Sequence, residues 1–95
     1  MTKSYLFIYS NKVGSNEEIK GCLNRMSTVT DWRTEISNVF FVVSTYSAHD
    51  IAKEFEGIRG SSGRFVFVEY NTNAQGRLTS EAWYLLKNKC RKPKD

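Results

Sequence analysis

Residues 4–11, Ser-Tyr-Leu-Phe-Ile-Tyr-Ser-Asn, decide the fold of this chain. Five consecutive apolar or aromatic residues followed by Ser-Asn predict a short strand that ends at a turn. The alternating side chains are apolar on both faces of that strand: Tyr5, Phe7 and Tyr9 on one, Leu6 and Ile8 on the other. A strand of this kind is more often central than at an edge. We therefore expect the sheet to be built around it.

Length and composition predict one folded domain. The chain has 95 residues, of which 40% are hydrophobic and 14% aromatic, enough for a core without disulfides. Its apolar runs are far shorter than the roughly 20 residues of a membrane span, so no membrane association is expected. Lys3 is followed at once by strand-like alternation, which does not resemble a signal peptide. Cys22 and Cys90 match no metal-ligand spacing and predict reduced thiols, a cytoplasmic protein and no cofactor.

The positive charge is concentrated at one end. Residues 87–95 account for the whole formal net charge of +4, so the rest of the chain is neutral. The basic residues of this segment are Lys87, Lys89, Arg91, Lys92 and Lys94. Such a segment is either a solvated end that keeps the protein soluble, or an arm that binds nucleic acid or another acidic partner. The five basic residues are our candidate nucleic-acid-binding residues.

Three helices are predicted from caps and apolar stripes. Ser15 and Glu18 form a capping box ahead of a stripe that includes Cys22, so this cysteine is expected in the core. Ser47 begins a second helix, with the single histidine, His49, at its surface. A third helix follows Thr79 or Ser80, from residue 81 to about residue 89, with Trp83 facing inwards.

A β-hairpin is predicted between the first two helices. Residues 30–36 alternate between wet and apolar positions, Ser37-Asn38 supply a turn, and residues 39–44 are apolar on both faces. We expect the two strands to pair antiparallel, the first at an edge and the second in the centre. A last strand at residues 64–70 completes the set.

The resulting order is strand, helix, strand, strand, helix, strand and a short closing helix. This order predicts an α+β, ferredoxin-like βαββαβ domain over residues 1–89, with a basic flexible tail at 90–95. Right-handed crossovers place the first two helices on one face of a four-stranded antiparallel sheet. The other face needs a cover, which is either the closing helix or a second copy of the chain. We expect a homodimer whose interface carries aromatics from the first and last strands: Tyr5, Phe7, Tyr9, Phe65 and Phe67.

The sequence resembles the small CRISPR-associated endoribonuclease-like family (Cas-two-like, also labelled SinR-type). The resemblance begins with Tyr5-Leu6-x-Ile8-Tyr9, and covers residues 4 to 89 mostly at hydrophobic positions. It continues through Trp32, residues 38–43, residues 46–51, residues 64–69 and the region of Trp83. It implies a ferredoxin-like homodimer that handles nucleic acid. In members described as nucleases, an Asp from each subunit ends the first strand, and the pair holds a divalent metal that activates water.

The position that this resemblance matches to the family's Asp is Ser10, with Asn11 beside it. Neither residue carries the negative charge that a hard cation needs. We therefore expect Ser10 and Asn11 to form a strand-end site that binds no metal, and we expect no catalytic residue. Asp31 is an acid in a different strand and offers a shifted metal site at most.

Three functions remain open at this point. The first is a non-catalytic module that binds RNA or DNA. The second is a protein-interaction or inhibitor module, such as an antitoxin or a phage protein that antagonises host defence. The third is a metal-dependent endoribonuclease with a shifted site at Asp31.

Overall fold

The elements observed in the computed structural model, which describes residues 1–93, follow the predicted order. They are β1 (Lys3–Tyr9), α1 (Asn16–Arg25), β2 (Asp31–Ile36), β3 (Val39–Ser44), α2 (Ala48–Arg59), β4 (Phe65–Glu69) and α3 (Ser80–Asn88). The four strands form one antiparallel sheet in the order β2-β3-β1-β4. This arrangement confirms the α+β, ferredoxin-like fold, and β1 lies in the centre as expected.

The predicted helix starts are confirmed in atomic detail. The Ser15 hydroxyl accepts a hydrogen bond from the Glu18 amide at 3.2 Å, and the Glu18 carboxylate accepts one from the Ser15 amide at 2.8 Å. These bonds satisfy two amides that the first turn of α1 leaves without helical partners. Ser47 caps α2 and Thr79 caps α3 through their side-chain oxygens.

The hairpin of β2 and β3 turns at residues 37–38, as predicted. Asn38 has a φ of 62°, the left-handed conformation that asparagine tolerates better than most residues. The pairing is not regular throughout, because the register shifts by one residue between Arg33 and Ile36. Arg33 lies opposite Phe41, whereas Ile36 lies opposite Val39. The extra residue in β2 moves Ile36 to the opposite face from the one that simple alternation predicts.

The larger core lies between the sheet and the helices α1 and α2. Phe7 is at its centre and is fully buried. Its ring centroid lies 4.9 Å from that of Phe55 in α2 and 4.4 Å from that of Phe67 in β4. Ile19 and Cys22 of α1 are buried in the same cluster. Cys22 is therefore a core residue, as its place in the stripe predicts.

The structure corrects the placement of the five aromatics that the sequence assigns to a dimer interface: Tyr5, Phe7, Tyr9, Phe65 and Phe67. All five belong to the core under α1 and α2, where four are buried and Phe65 is partly buried. Alternation separates these rings from Leu6 and Ile8 correctly. It does not reveal which set the helices cover, because both sets are apolar.

The opposite face is partly covered by α3. Leu85 and Leu86 of this helix are buried against Phe41 and Val43 of β3. The Ser4 hydroxyl, also buried, donates a hydrogen bond of 2.7 Å to the Leu86 carbonyl and so ties β1 to the last turn of the helix. The closing helix is therefore a structural layer of the domain.

Beyond α3, part of this face carries aliphatic side chains that the described residues leave exposed. Ile36, Val39, Ile8 and Val66 form a row across all four strands through their register partners. Ile8, Ile36 and Val66 are 42%, 47% and 47% exposed, and Val68 next to them on β4 is 48% exposed. We call Ile8, Ile36, Val66 and Val68 the aliphatic strip. It ends at β4, which is an outer strand of the sheet.

Glu54 of α2 holds the loop between α1 and β2 through hydrogen bonds. The sequence pattern places Glu54 on the solvent-facing side of the helix and does not predict this role. Its carboxylate accepts bonds from the amides and hydroxyls of Ser27 and Thr28, at distances from 2.6 to 3.0 Å. The hydrogen bond from the Thr28 hydroxyl is the largest of the effects that lower the pKa of Glu54 from 4.5 to about 2.

Replacing Glu54 with Gln is expected to destabilise the protein by about 1–2 kcal/mol at neutral pH, since a neutral amide accepts these bonds less strongly and the site is partly screened by water. The pKa is lower in the folded state, so the stabilisation is present above pH 4.5 and is lost as pH falls towards about 2. Urea unfolding over this range should show the difference between wild type and E54Q shrinking. The control is Glu56→Gln, an exposed carboxylate on the same helix; an equal loss in both variants would contradict the assignment.

Candidate nucleic-acid interface

Helix α3 places an aromatic ring beside two of the five predicted cations. Trp83 and Lys87 are four residues apart, a spacing that puts them on the same side of a helix. The Lys87 ammonium lies over the Trp83 ring, 5.4 Å from its centroid. Lys89 ends the helix in a left-handed conformation with a φ of 60°. Both lysines line the groove that contains Trp83.

This groove, which we call the α3 groove, lies between α3 and the polar loop that follows β4. Its volume is about 730 Å³. The side chains that matter for recognition are Glu69, Asn71, Gln75, Trp83, Lys87 and Lys89. The two ammonium groups outnumber the single carboxylate, so the groove favours an anion. The amides of Asn71 and Gln75 can both donate and accept hydrogen bonds.

Glu35 of β2 fixes the N-terminal end of α3 and so helps to position the α3 groove. Its carboxylate accepts hydrogen bonds from the Thr79 amide, at 3.1 Å, from the Thr79 hydroxyl, and from Arg33 at 3.0 Å. Burial alone would raise the pKa of Glu35, but the bonds from Thr79 and Arg33 outweigh it and lower the pKa. Glu35 is therefore held ionised at the start of the helix.

Arg91 turns away from the α3 groove and pairs with Asp31 at the start of β2. Its Nε atom lies 2.9 and 2.8 Å from the two carboxylate oxygens. Residues 90–95 are predicted to form a flexible tail, and within the described residues this ion pair joins Arg91 to β2. The Arg91 side chain remains 68% exposed, whereas that of Asp31 is 22% exposed.

Lys92 and Lys94 complete the set of predicted cations. Lys92 is exposed and lies near Glu81. Hydrogen bonds from the backbone amide of Glu81 itself and from Ser80 are the main causes of the lowered pKa of Glu81, and the charge of Lys92 lowers it further. Lys94 lies outside the described residues. The structure thus brings Lys87 and Lys89 together and directs Arg91 elsewhere.

Ser10 and Asn11, the predicted strand-end site, hold neighbouring loops to the end of β1. The Ser10 hydroxyl accepts a bond of 2.9 Å from the Arg64 amide, and its own amide donates to the Arg64 carbonyl at 2.8 Å. The Asn11 side-chain oxygen accepts from the Asn38 amide group at 2.8 Å. Both side chains have protein partners, and their role in the structure is to join β1 to β4 and to the hairpin turn.

Asp31, the acid of the predicted shifted metal site, is engaged by Arg91. Both of its carboxylate oxygens accept hydrogen bonds from Arg91, and one also accepts from the Trp32 amide at 2.8 Å. Within residues 1–93, no three His, Cys, Asp or Glu side chains lie close enough together to hold a metal ion. His49 is exposed at the start of α2, as its sequence position predicts.

Comparison with known proteins adds no relative. No protein-family model, no curated protein and no solved structure matches the chain. The likeness to the Cas-two-like family therefore depends on the sequence positions quoted above. In the part of the chain that the structure describes, no helix is long and apolar enough to cross a membrane.

The residue that sequence reasoning missed is Trp83. The apolar pattern of α3 predicts that this ring faces inwards, and the ring does pack against the core cluster that contains Ala82, Leu85 and Leu86. Trp83 is only partly buried and lines the α3 groove. Its spacing of four residues from Lys87 is the one signal in the sequence that could have linked the ring to a cation.

Proposed function

We propose that this protein is a non-catalytic nucleic-acid-binding module of Cas-two-like fold that acts as a homodimer. The observation that carries the proposal is the α3 groove, where Lys87, Lys89 and Trp83 come together. Phosphate groups are recognised by ammonium and guanidinium groups, and these supply most of the affinity in non-specific binding.

The binding surface continues around the C-terminal segment. Lys87 and Lys89 provide contacts at the groove, while Arg91, exposed but paired with Asp31, offers a guanidinium nearer β2. Lys92 extends the same segment, and Lys94 is the last cation of the proposed set. Contacts of this kind position the backbone of the nucleic acid and do not read its sequence.

The absence of catalysis is part of the proposal and follows from the chemistry of the strand end. A metal-dependent nuclease needs carboxylates to hold the cation that activates water. Ser10 and Asn11 have no carboxylate, and Asp31 is engaged by Arg91. The fold is then used for binding alone.

The proposed homodimer uses the aliphatic strip and the open edge at β4. The bonds from Tyr70 to Ser4 and from Ser10 to Arg64 direct the even-numbered residues of this strand towards β1. The backbone groups of Phe65, Phe67 and Glu69 therefore point outwards. An unpaired strand edge beside exposed valines is a template for another strand.

β4 is itself a matching partner for that edge. If two copies of β4 pair antiparallel about Phe67, the outward backbone groups of both are satisfied. In this register Val66 lies opposite Val68 of the second copy, and Val68 opposite Val66. The same residues meet on both sides, as a two-fold interface requires. The two aliphatic strips then join into one apolar surface.

A cytoplasmic setting is proposed with this function. Cys22 and Cys90 are both free thiols, the first buried and the second exposed. Exposed free thiols are typical of proteins from a reducing compartment.

The proposed function predicts that the two groove lysines dominate the affinity for nucleic acid. The variant K87Q/K89Q is expected to bind a short labelled RNA or DNA at least about tenfold more weakly at low salt. The slope of log K against log salt should become shallower by about 0.7 for each single-strand phosphate that the variant no longer neutralises. Fluorescence anisotropy at several salt concentrations measures both quantities.

The matched control is K12Q/K53Q, which removes the same charge from two exposed lysines on other parts of the chain. An equal loss of affinity in both double variants would mean that only net charge matters, and the proposed interface would be wrong. If the wild-type protein binds neither RNA nor DNA at low salt, the proposal fails and the protein-interaction function replaces it.

A further inference from the structure

We propose that the α3 groove takes an unpaired nucleotide, with its base stacked on Trp83 and its flanking phosphates on Lys87 and Lys89. The ligand class is then single-stranded nucleic acid. This inference rests on the proposed nucleic-acid-binding function and adds to it the strandedness of the ligand and the residue that determines it.

The first observation is the position of the Trp83 ring. It packs against the core cluster formed by α3 and β3, and it also lines the groove. A ring supported by a core on one side and accessible on another is a rigid platform for a second flat ring. Stacking of a base on an aromatic side chain is the usual way in which proteins hold unpaired nucleotides.

The second observation is that the groove-side partner of the Trp83 ring is already a cation. The Lys87 ammonium lies 5.4 Å from the ring centroid. Its four-carbon stem is flexible and the residue is exposed, so the ammonium can move from the ring to a phosphate oxygen. A bound nucleotide can replace the contact between Trp83 and Lys87 on both sides, because its base can stack on the Trp83 ring and its phosphate can pair with the Lys87 ammonium.

The rest of the groove fits the edges of a base or a sugar. Asn71 and Gln75 carry amide groups that can donate and accept hydrogen bonds. The Glu69 carboxylate disfavours a phosphate at its end of the groove, because both are negatively charged. It can accept a hydrogen bond from an amino or hydroxyl group. The Lys89 ammonium donates to the backbone carbonyl of Lys87 at 3.4 Å, and both lysines line the groove.

A duplex does not fit this arrangement. The base faces of a duplex are covered by their neighbours in the stack, so an indole ring in a groove can meet only a base that is unpaired. A duplex would use the lysines alone and would be indifferent to Trp83. The inference therefore predicts that the affinity for single strands depends on Trp83 and that the affinity for a duplex does not.

The test compares a labelled single-stranded RNA, the DNA of the same sequence and the corresponding duplex, each binding to wild type, W83L and W83F. Leucine keeps an apolar side chain against the core cluster, and phenylalanine keeps a ring. We expect W83L to lower the affinity for the single strands about tenfold with an unchanged salt slope, and to leave the duplex affinity within about twofold. W83F should recover most of the loss. The RNA and DNA arms distinguish a ligand recognised through its 2′-hydroxyl from one recognised through base and phosphate alone.

A second measurement does not depend on the stability of W83L. In W32F, Trp83 is the only tryptophan of the chain, and stacking of a base should quench its fluorescence as single strand is added. Binding without quenching, or equal losses for single strand and duplex in W83L, would overturn the inference while leaving the proposed function in place. If no nucleic acid binds to the wild-type protein, both are wrong.

Discussion

Phe7→Ala is expected to destabilise the protein by about 3–5 kcal/mol, the usual cost of removing a fully buried aromatic ring. Phe7 is on the central strand, and its ring contacts those of Tyr9, Phe55 and Phe67. These neighbours come from two strands and a helix and are themselves packed, so they cannot close the cavity by a small shift. For a domain of this size the melting temperature should fall by about 15 °C or more.

Tyr46→Ala is the matched control for this prediction, because it also removes an aromatic ring. Tyr46 is 46% exposed, and its backbone makes its hydrogen bonds: its carbonyl accepts from the Tyr5 hydroxyl and its amide donates to the Ser44 hydroxyl. The expected loss is below about 1 kcal/mol. Urea unfolding of both variants gives the comparison. Similar losses in the two, or a loss under about 1.5 kcal/mol for Phe7→Ala, would show that the core is not centred on this ring.

The elements of this fold were predictable because each has a local signal. The capping box of Ser15 and Glu18 marks the start of α1, and the change of pattern at Asn38 marks the hairpin turn. Both signals act over a few residues, where backbone hydrogen bonding and side-chain alternation determine the structure. The order of the elements then leaves few possible topologies, since crossovers are right-handed.

The burial of each face was not predictable in the same way. Phe7 and Ile8 are neighbours on β1, and both belong to apolar sets, yet Phe7 is fully buried and Ile8 is 42% exposed. The hydrophobic effect is non-directional, so it does not say which apolar set the helices will cover. Ile36 is a second case, because a single extra residue in β2 reverses the face that alternation assigns to it.

The candidate binding site depends on contacts between distant parts of the chain. Arg91 pairs with Asp31 across 60 residues, and this contact removes one of the five predicted cations from the α3 groove. Trp83 lines that groove with Glu69 and Asn71 from the end of β4 and the loop after it. The charge pattern of the sequence identifies Lys87 and Lys89 as candidate contacts. It does not indicate that Trp83 and Glu69 line the same groove.

Val68→Lys is expected to convert the proposed dimer into a monomer. Val68 is 48% exposed on β4, and in the two-fold pairing about Phe67 it faces Val66 of the second copy. A lysine there must leave its charge beside apolar side chains, and lysine at a sheet edge is a common means of preventing strand pairing. Two-fold symmetry introduces the change twice in each dimer. The dissociation constant of the dimer should therefore rise at least about 100-fold, as measured by light scattering or sedimentation over a range of concentrations.

Ile58→Lys is the control, because it makes the same chemical change at a site on α2 that is 38% exposed and lies outside the aliphatic strip. Its dissociation constant should stay within about threefold of the wild-type value. A wild-type protein that remains monomeric at high micromolar concentration would contradict the proposed dimer. Equal weakening by both lysines would place the interface away from β4. If Val68→Lys alone dissociates the dimer, nucleic-acid binding by this monomeric variant tests whether the dimer interface and the α3 groove are separate surfaces. The α3 groove lies within one chain, so the affinity of each subunit for nucleic acid should persist. Only the additional affinity that comes from two linked sites should be lost.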